Sequence, residues 1–422
     1  MAKTDAAGEF ALSDSAATFA FDTPRLRLAR GLCTLALFAL PAFVIATPWG
    51  LRPATLFTLL AVCVAPDCVW HHLRPLRRPL LILLAVSVLV SAAVSLSVLV
   101  NDTGWREADS RGRALVMPVA LLLTVAFRPP RAALWGGAVA GLLGAGGIAL
   151  YQYVSGVARA DGWTNAIVFG DLAAVLLVIV VFFRASGRMP WVVLGTLAGV
   201  TAIVLSGSRG TWPALVLIAL TGLLAGRRAR WWELLGVGAL GLVTALVLSP
   251  KVEERITALQ GDLARYSRGD MDSSSGARIQ LLHLAGETFL AHPGAGIGVG
   301  KFDRAIGAQP ICRAQAESEE VCRLSHAHND VAEWGATMGV PGVLALALLY
   351  GVPLWMFARR SLARPFPRRS RSAALTGMTL VLVFVACGLT QSLFAHQLTS
   401  TSYVLLIGIL LGFSLRENPQ KD

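Results

Sequence analysis

Long apolar stretches separated by short polar ones run along most of the chain. Most of them hold the roughly 17–25 residues that an α-helix needs to cross the ~30 Å hydrocarbon layer of a bilayer. The pattern predicts an all-α integral membrane protein with about 12 transmembrane helices. We place these spans at residues 28–46, 51–69, 80–99, 114–127, 132–152, 163–183, 189–205, 211–226, 231–249, 334–358, 372–391 and 399–415.

Composition agrees with this class. Of the 422 residues, 55% are hydrophobic and 15% are charged, and the mean hydropathy is +0.63. These values are far from those of a soluble globular protein. The formal net charge is +12, but no basic, aromatic-rich soluble segment accompanies it, so we expect no nucleic acid partner. We expect the basic loops to contact anionic membrane lipids instead.

The distribution of Lys and Arg predicts the orientation. With twelve spans and cytoplasmic termini, twenty-two of the 37 basic residues fall in inner segments and six in short outer loops, as the positive-inside rule requires. Residues 1–27 then form a polar cytoplasmic tail, which does not resemble a cleavable signal peptide. The remaining predicted segments are spans one to nine at 28–249, an outer helical segment at 250–333, spans ten to twelve at 334–415 and a cytoplasmic tail at 416–422.

The outer segment between spans nine and ten contains two predicted helices. Apolar positions over 252–266 fall on one stripe and predict an amphipathic helix that lies on the membrane or packs on the bundle. A second helix covers "RIQLLHLAGETFLAH", with Ser274 or Ser275 as its cap, and stops at Pro293.

Two other features of this segment leave alternatives open. The glycine-rich "PGAGIGVGKF" lacks the GxGxxG spacing of a dinucleotide site, so we interpret it as a structural turn, with a phosphate cradle as the alternative. Cys312 and Cys322 are ten positions apart and predict a disulfide in an oxidising compartment. A zinc site is the weaker alternative, because neither cysteine belongs to a CxxC pair.

The chemistry-bearing residues gather at the predicted outer membrane boundary. "LSHAHNDVAEWG" (324–335) holds His326, His328, Asn329, Asp330 and Glu333. These side chains could cap and pack, or bind a metal, but their spacing matches no standard zinc pattern such as HExxH.

Several arginines share that boundary. Arg209, in "SGSRGTW", and Arg278, at the start of the second outer helix, are the main candidates. Arginines at a membrane edge also extend to lipid head groups. Arg106, Arg113 and Arg265 lie in other outer segments, and we include them as candidate substrate-binding residues.

Arginines and a histidine at one membrane face fit one type of reaction. A lipid-anchored pyrophosphate donor needs cations to hold and neutralise its leaving group. An acceptor hydroxyl needs a general base, and histidine has an ordinary pKa near neutrality. Arginines can take the place of the divalent metal that many such transferases use.

Four sequence stretches resemble the O-antigen ligase family, which belongs to a wider group with O-antigen polymerases and protein O-oligosaccharyltransferases. They are "SGSRGTW", "SGARIQLL", "HPGAGIGVGKF" and "HAHND…EWGATMGVPG", and the resemblance is strongest over about 200–345. It implies a GT-C-like fold in the bacterial inner membrane with a periplasmic active site. The implied partners are an undecaprenyl-pyrophosphate-linked polysaccharide as donor and lipid A–core as acceptor.

The resemblance also implies the catalytic residues. The family histidine that precedes an asparagine corresponds to His328, and the family arginines correspond to Arg209 and Arg278. The family is regarded as metal-independent, so no metal or other cofactor is expected. His326 is a departure from the family pattern, and it is expected, with Asn329, to orient the base or the acceptor.

Three further functions remain as alternatives. O-antigen polymerase and protein O-oligosaccharyltransferase share the donor but use other acceptors. A secondary transporter would require ionisable groups near the middle of the membrane. Asp171 is the main acid within a span, and no repeated broken helices accompany it.

Overall fold

The fold is helical throughout the part of the chain that the structure describes. This computed structural model describes residues 23–183, 188–225, 249–268, 273–314, 320–362 and 368–416. All regular elements in these ranges are α- or 3-10 helices. The chain is thus an all-helical, multi-pass membrane protein, as its hydropathy predicts.

The first six helices alternate long spans with short pieces. Their bounds are α1 Pro24–Phe43, α2 Arg52–Val64, α3 Pro66–His71, α4 Arg77–Val100, α5 Trp105–Gly112 and α6 Val116–Phe127. The predicted span 51–69 is divided into α2 and α3. The break comes at Ala65 because Pro66 disfavours a helical conformation of the preceding residue and occupies the first turn of α3.

The central helices follow. Their bounds are α7 Arg131–Val154, α8 Ala166–Phe182, α9 Met189–Ser206 and α10 Trp212–Ala225. Every residue of α8 from Val168 to Phe182 is buried. A helix that is apolar on all sides belongs in the centre of a bundle, and α8 contacts α7, α9, α10 and the later helix Arg368–Gly388.

The remaining helices form the outer segment and the last spans. Their bounds are α11 Ser249–Ser267, α12 Ser274–Ala291, α13 Phe302–Gly307, α14 Pro310–Ala314, α15 Asp330–Leu362, α16 Arg368–Gly388 and α17 Gln397–Arg416. The cap of α12 corrects the sequence prediction. The side chain of Ser273, and not that of Ser274 or Ser275, accepts a hydrogen bond from the backbone N–H of Gly276 at 3.1 Å.

Eleven apolar helical stretches correspond to eleven of the predicted spans. Eight are long and apolar enough to cross a membrane, and three are shorter: Arg52–Val64, Ala166–Phe182 and Arg209–Leu224. The predicted span at 231–249 lies almost entirely outside the described residues. The exact number of twelve is therefore still a prediction.

Helix α15 contains a kink that receives the glycine-rich stretch. Gly339 has φ 65° and ψ −154°, a backbone conformation that is essentially restricted to glycine. The N–H groups of Ile297 and Gly298 donate to the carbonyls of Ala336 and Thr337, and the N–H of Val340 donates to the carbonyl of Pro293. The stretch thus packs, backbone to backbone, on the kinked helix.

The outer segment has a small core of its own. Ala277, Leu281, Phe302 and Ile306 are fully or almost fully buried together. Cys312 belongs to this cluster and forms a disulfide with Cys322, with Cα atoms 5.4 Å apart. The disulfide joins α14 to the 3-10 turn Glu320–Arg323, which leads into the histidine-containing segment.

Five loops meet at one end of the bundle, which we call the site end. They are the described parts of the segments that the predicted topology places on one side: 101–115, 155–165, 207–211, 249–268 with 273–314 and 320–329, and 389–396. Bonds between them include the Arg209 guanidinium to the Asp262 carboxylate at 3.3 Å and the Asn329 amide to the Leu389 carbonyl at 3.0 Å. The alternation of the spans thus agrees with the packing.

Candidate functional site

The turn that carries the two histidines is held in an unusual conformation. His328 has φ 49°, in the left-handed region that is uncommon for residues other than glycine. Asn329 then begins α15: its side-chain oxygen accepts from the N–H of Ala332 at 3.0 Å, and its amide donates to the carbonyl of Leu389 at 3.0 Å. Both ends of the Asn329 side chain therefore bind the protein itself.

A buried ion pair supports this turn from below. The Arg111 guanidinium donates to one oxygen of Glu333 at 2.9 Å, and both side chains are only 2–3% exposed. The other Glu333 oxygen accepts from the backbone N–H of Ala327 at 2.9 Å. Because Ala327 lies between His326 and His328, Glu333 fixes the position of both rings.

Two buried acids hold neighbouring loops. Asp171 accepts from the hydroxyl of Thr211 at 2.6 Å, which anchors the loop that carries Arg209. Asp330 accepts from the Tyr350 hydroxyl at 3.0 Å and from the N–H of Phe394 at 3.3 Å, which anchors the loop 389–396. Both carboxylates thus contact groups that shape the site end.

Arg209 and Arg278 are close neighbours. Arg209 lies in a 3-10 turn between α9 and α10 and forms an ion pair with Asp262 of α11 at 3.3 Å. Its Nη1 atom is buried and makes no hydrogen bond. Arg278, in the first turns of α12, is near enough to Arg209 and Asp262 for their charges to affect it; burial and then the Arg209 charge lower the pKa of Arg278.

His328 lies near both a second histidine, His326, and the guanidinium of Arg278. Burial, followed by the charges of His326 and Arg278, lowers the pKa of His328 to about 3. Neither ring nitrogen makes a hydrogen bond of good geometry, although both are buried. Arg278 therefore lies close enough to both His328 and Arg209 for their charges to interact.

Two more histidine rings stack against this centre. The rings of His326 and His328 have centroids 4.4 Å apart, and those of His326 and His396 are 5.3 Å apart, both edge to face. Burial is the main cause that lowers the pKa of His326, and it lowers the pKa of His396 to about 4. All three rings are therefore neutral at neutral pH.

A cavity of about 230 Å³ opens beside these rings. Its walls come from three loops and the start of α8, and they include three histidines, two arginines and two side-chain amides. The lining residues are Arg159, Asn165, Ala166, Ile167, Arg323, Leu324, Ser325, His326, His328, Gln391 and His396. His328 is thus accessible from the cavity and electrostatically coupled to Arg278.

The other arginines predicted from the sequence do not line this cavity. Arg106 is exposed on α5. Arg113 donates to Asp109 and, at 2.7 Å, to the hydroxyl of Thr401, so it ties α5 to α17. Arg265 is half-buried on α11.

Of the residues that line the cavity, only His326 and His328 were among the site residues predicted from the sequence. Gln391 and His396 lie in the loop between the last two spans, and Arg159 lies in the loop before α8, where its Nε donates to the carbonyl of Ser206 at 2.9 Å. The sequence indicates a role for these three residues only through their position in predicted outer loops.

The alternative of a metal site concerns the histidine cluster and the two cysteines of the outer segment. In the described ranges, no three His, Cys, Asp or Glu side chains are arranged to hold a metal ion. The three histidine rings pack edge to face. Cys312 and Cys322, the alternative zinc ligands, bind each other.

Comparison with known families gives one match. Residues 194–347 match the model of the O-antigen ligase family, and this range contains Arg209, Arg278 and His328. No curated protein matches the chain significantly. The sequence resemblance is thereby confirmed, and the match supports a membrane enzyme of the ligase and polymerase type. The family whose model matches residues 194–347 is thus the O-antigen ligase family.

Proposed function

We propose that this protein is an O-antigen ligase of the bacterial inner membrane. It transfers polysaccharide from undecaprenyl pyrophosphate to lipid A–core at the periplasmic face. The observation that carries the proposal is the convergence of His328, Arg278 and Arg209 at one end of the bundle, inside the range that matches the family. The basic inner loops support the orientation.

The proposed reaction is a single inverting displacement. An oxygen of the acceptor hydroxyl attacks the anomeric carbon of the donor while the bond from that carbon to the pyrophosphate oxygen breaks. His328 takes the hydroxyl proton. Undecaprenyl pyrophosphate leaves with the electron pair, and Arg209 and Arg278 neutralise the charge that develops on it.

The free site differs from the expectation of a base with a near-neutral pKa. Burial and cationic neighbours lower the pKa of His328 to about 3, because both disfavour the protonated ring. A pyrophosphate bound at Arg278 opposes the effect of that cation and so raises the basicity of His328. Donor binding would thus prepare the base for the acceptor.

The pH dependence of transfer tests this coupling. Since kcat/KM for the donor reports the free enzyme, and His328 loses its function as a base only when it is protonated, kcat/KM for the donor should persist as the pH falls from 7 to 5. Arg278→Gln removes one cause of the lowered pKa, so the acid limb should move to higher pH. A wild-type rate that falls below about pH 6.5, with the same profile in Arg278→Gln, would contradict the assignment of His328 as the base.

Replacing the base tests the function itself. In a strain that lacks this protein, long polymer should accumulate on undecaprenyl pyrophosphate while lipid A–core stays bare. Wild-type protein should restore transfer, and His328→Ala should lower it by a factor of about 10²–10⁴. Both glycan pools would be extracted and sized. The variant should reach wild-type levels in the membrane, which controls for folding.

The same measurement separates the ligase from its alternatives. The family match supports polymerases as well as ligases, and a polymerase would leave single repeat units on the carrier. Glycan missing from protein and normal on lipid A–core would indicate an oligosaccharyltransferase. Normal pools in the deletion strain would refute transfer altogether and favour transport.

Metal independence is a separate expectation. In the proposed reaction Arg209 and Arg278 neutralise the negative charge of the pyrophosphate leaving group. Transfer by purified protein should therefore be unchanged in excess EDTA. Arg209→Gln and Arg278→Gln should each reduce turnover by orders of magnitude. Strict dependence on an added divalent ion would refute the role of these arginines.

A further inference from the structure

The cavity beside His328 has walls of one charge sign. Among the described residues that line it, the ionisable ones are Arg159, Arg323 and the three histidines, and none of these residues carries a carboxylate. The histidines are neutral at neutral pH because burial lowers their pKa values. The permanent charge of the cavity therefore comes from two guanidinium groups.

Acids near the cavity bind other groups. Glu333 is paired with Arg111, and Asp330 accepts from Tyr350 and Phe394. Asp161 accepts from the amide of Gln152 at 2.8 Å. The exposed carboxylate of Glu320 lies 3.9 Å from Arg323, where solvent screens the pair.

The arginines of the cavity are distinct from the pair assigned to the donor. Arg209 and Arg278 do not line the cavity, and they lie beside Asp262 of α11. Arg159 comes from the loop before α8, and its guanidinium is oriented by the bond from Nε to the Ser206 carbonyl. His328 contacts the cavity and also senses the charge of Arg278.

The size of the cavity limits its occupant. Sites for drug-sized ligands occupy about 300–1,000 Å³, and this one has about 230 Å³. It therefore fits one sugar unit with its substituents. A hydroxyl of that unit must approach His328 to within hydrogen-bonding distance, and guanidinium groups on the wall would meet an anionic substituent nearby.

We propose that this cavity is the acceptor subsite and that Arg159 and Arg323 select an acceptor sugar with a phosphate or carboxylate close to the accepting hydroxyl. Guanidinium groups bind both anions in a bidentate manner. The amides of Asn165 and Gln391 supply neutral hydrogen bonds to sugar hydroxyls. This inference rests on the proposed function and adds the chemical class of the acceptor.

Steady-state transfer by the purified full-length protein tests the subsite. The acceptor would be lipid A–core in three forms: intact, treated with alkaline phosphatase, and with its carboxylates amidated. The variants would be Arg159→Gln, Arg159→Lys and Arg323→Gln. Arg304→Gln is the matched control, because Arg304 is an exposed arginine of the same outer segment and does not line the cavity.

We expect each Arg→Gln variant of the cavity to raise the KM for intact acceptor by about 10-fold or more, as loss of a charged hydrogen bond predicts. The donor KM should stay within about twofold. Wild-type protein should discriminate against one treated acceptor, and the Gln variants should lose that discrimination. Arg159→Lys should retain part of it, and Arg304→Gln should behave as wild type. The treated form that loses binding identifies the anion as phosphate or carboxylate.

Two results would overturn the subsite. A raised donor KM with an unchanged acceptor KM would assign Arg159 and Arg323 to the pyrophosphate. Unchanged kinetics in both variants would remove them from recognition, and the proposed function would stand if His328→Ala still abolished transfer. Full transfer by His328→Ala would instead refute the proposed function.

Discussion

Arg111→Met is expected to destabilise the protein by about 3–5 kcal/mol and to reduce turnover strongly. The substitution leaves the Glu333 carboxylate, which is 2% exposed, without its counter-charge, and an uncompensated buried charge costs this much. Glu333 also accepts from the N–H of Ala327. Its displacement would therefore move the histidine turn, and a shift of about 1 Å at a reacting group lowers rates by about 10².

The double variant separates charge from packing. Arg111→Met combined with Glu333→Gln buries no charge, and a glutamine oxygen can still accept from Ala327. Stability should return to near the wild-type value, as a double-mutant cycle in thermal unfolding would show. The turnover number should recover in parallel while the acceptor KM changes little. A single variant that melts like the wild type would contradict a structural role for this pair.

Gly339→Ala is the second substitution with a large expected effect. Its backbone conformation of φ 65° and ψ −154° is essentially closed to alanine. A Cβ atom at this position would lie 2.4 Å from the Pro293 carbonyl oxygen. Strain and overpacking each cost about 1–3 kcal/mol, so we expect a loss of about 2–6 kcal/mol.

A glycine farther along the same helix provides the control. A Cβ at Gly351 would meet no heavy atom within 4 Å, so Gly351→Ala should be neutral or slightly stabilising. Both variants would be compared by thermal unfolding in detergent and by yield of folded protein. Equal melting of the two variants would show that the contact between α15 and the glycine-rich stretch does not contribute to stability.

The sequence predicted the helical architecture well because the evidence is local. Each span is an apolar run of sufficient length, and the disposition of arginines orders the loops. The same reasoning selected Arg209, Arg278 and His328 as candidates, since each lies in a polar motif at the edge of a span, and their roles are still predictions. The structure adds that the three converge, which no spacing along the chain can establish.

Other parts of the site depend on contacts between distant segments. Gln391 and His396 belong to no motif, and they reach the cavity because Asp330 binds the N–H of Phe394. Asp171, considered as a transport acid, instead accepts from Thr211 and holds the Arg209 turn. The lowered pKa of His328 arises from burial among groups brought together by folding.

The cavity is lined by residues from inside and from outside the range that matches the family model. His326, His328 and Arg323 lie inside the matched range 194–347, whereas Arg159, Gln391 and His396 lie outside it. A chimera that exchanges only this range between two relatives would carry over the groups for chemistry and one wall of the cavity. The opposite wall would come from the host, so acceptor preference is expected to follow the host in part.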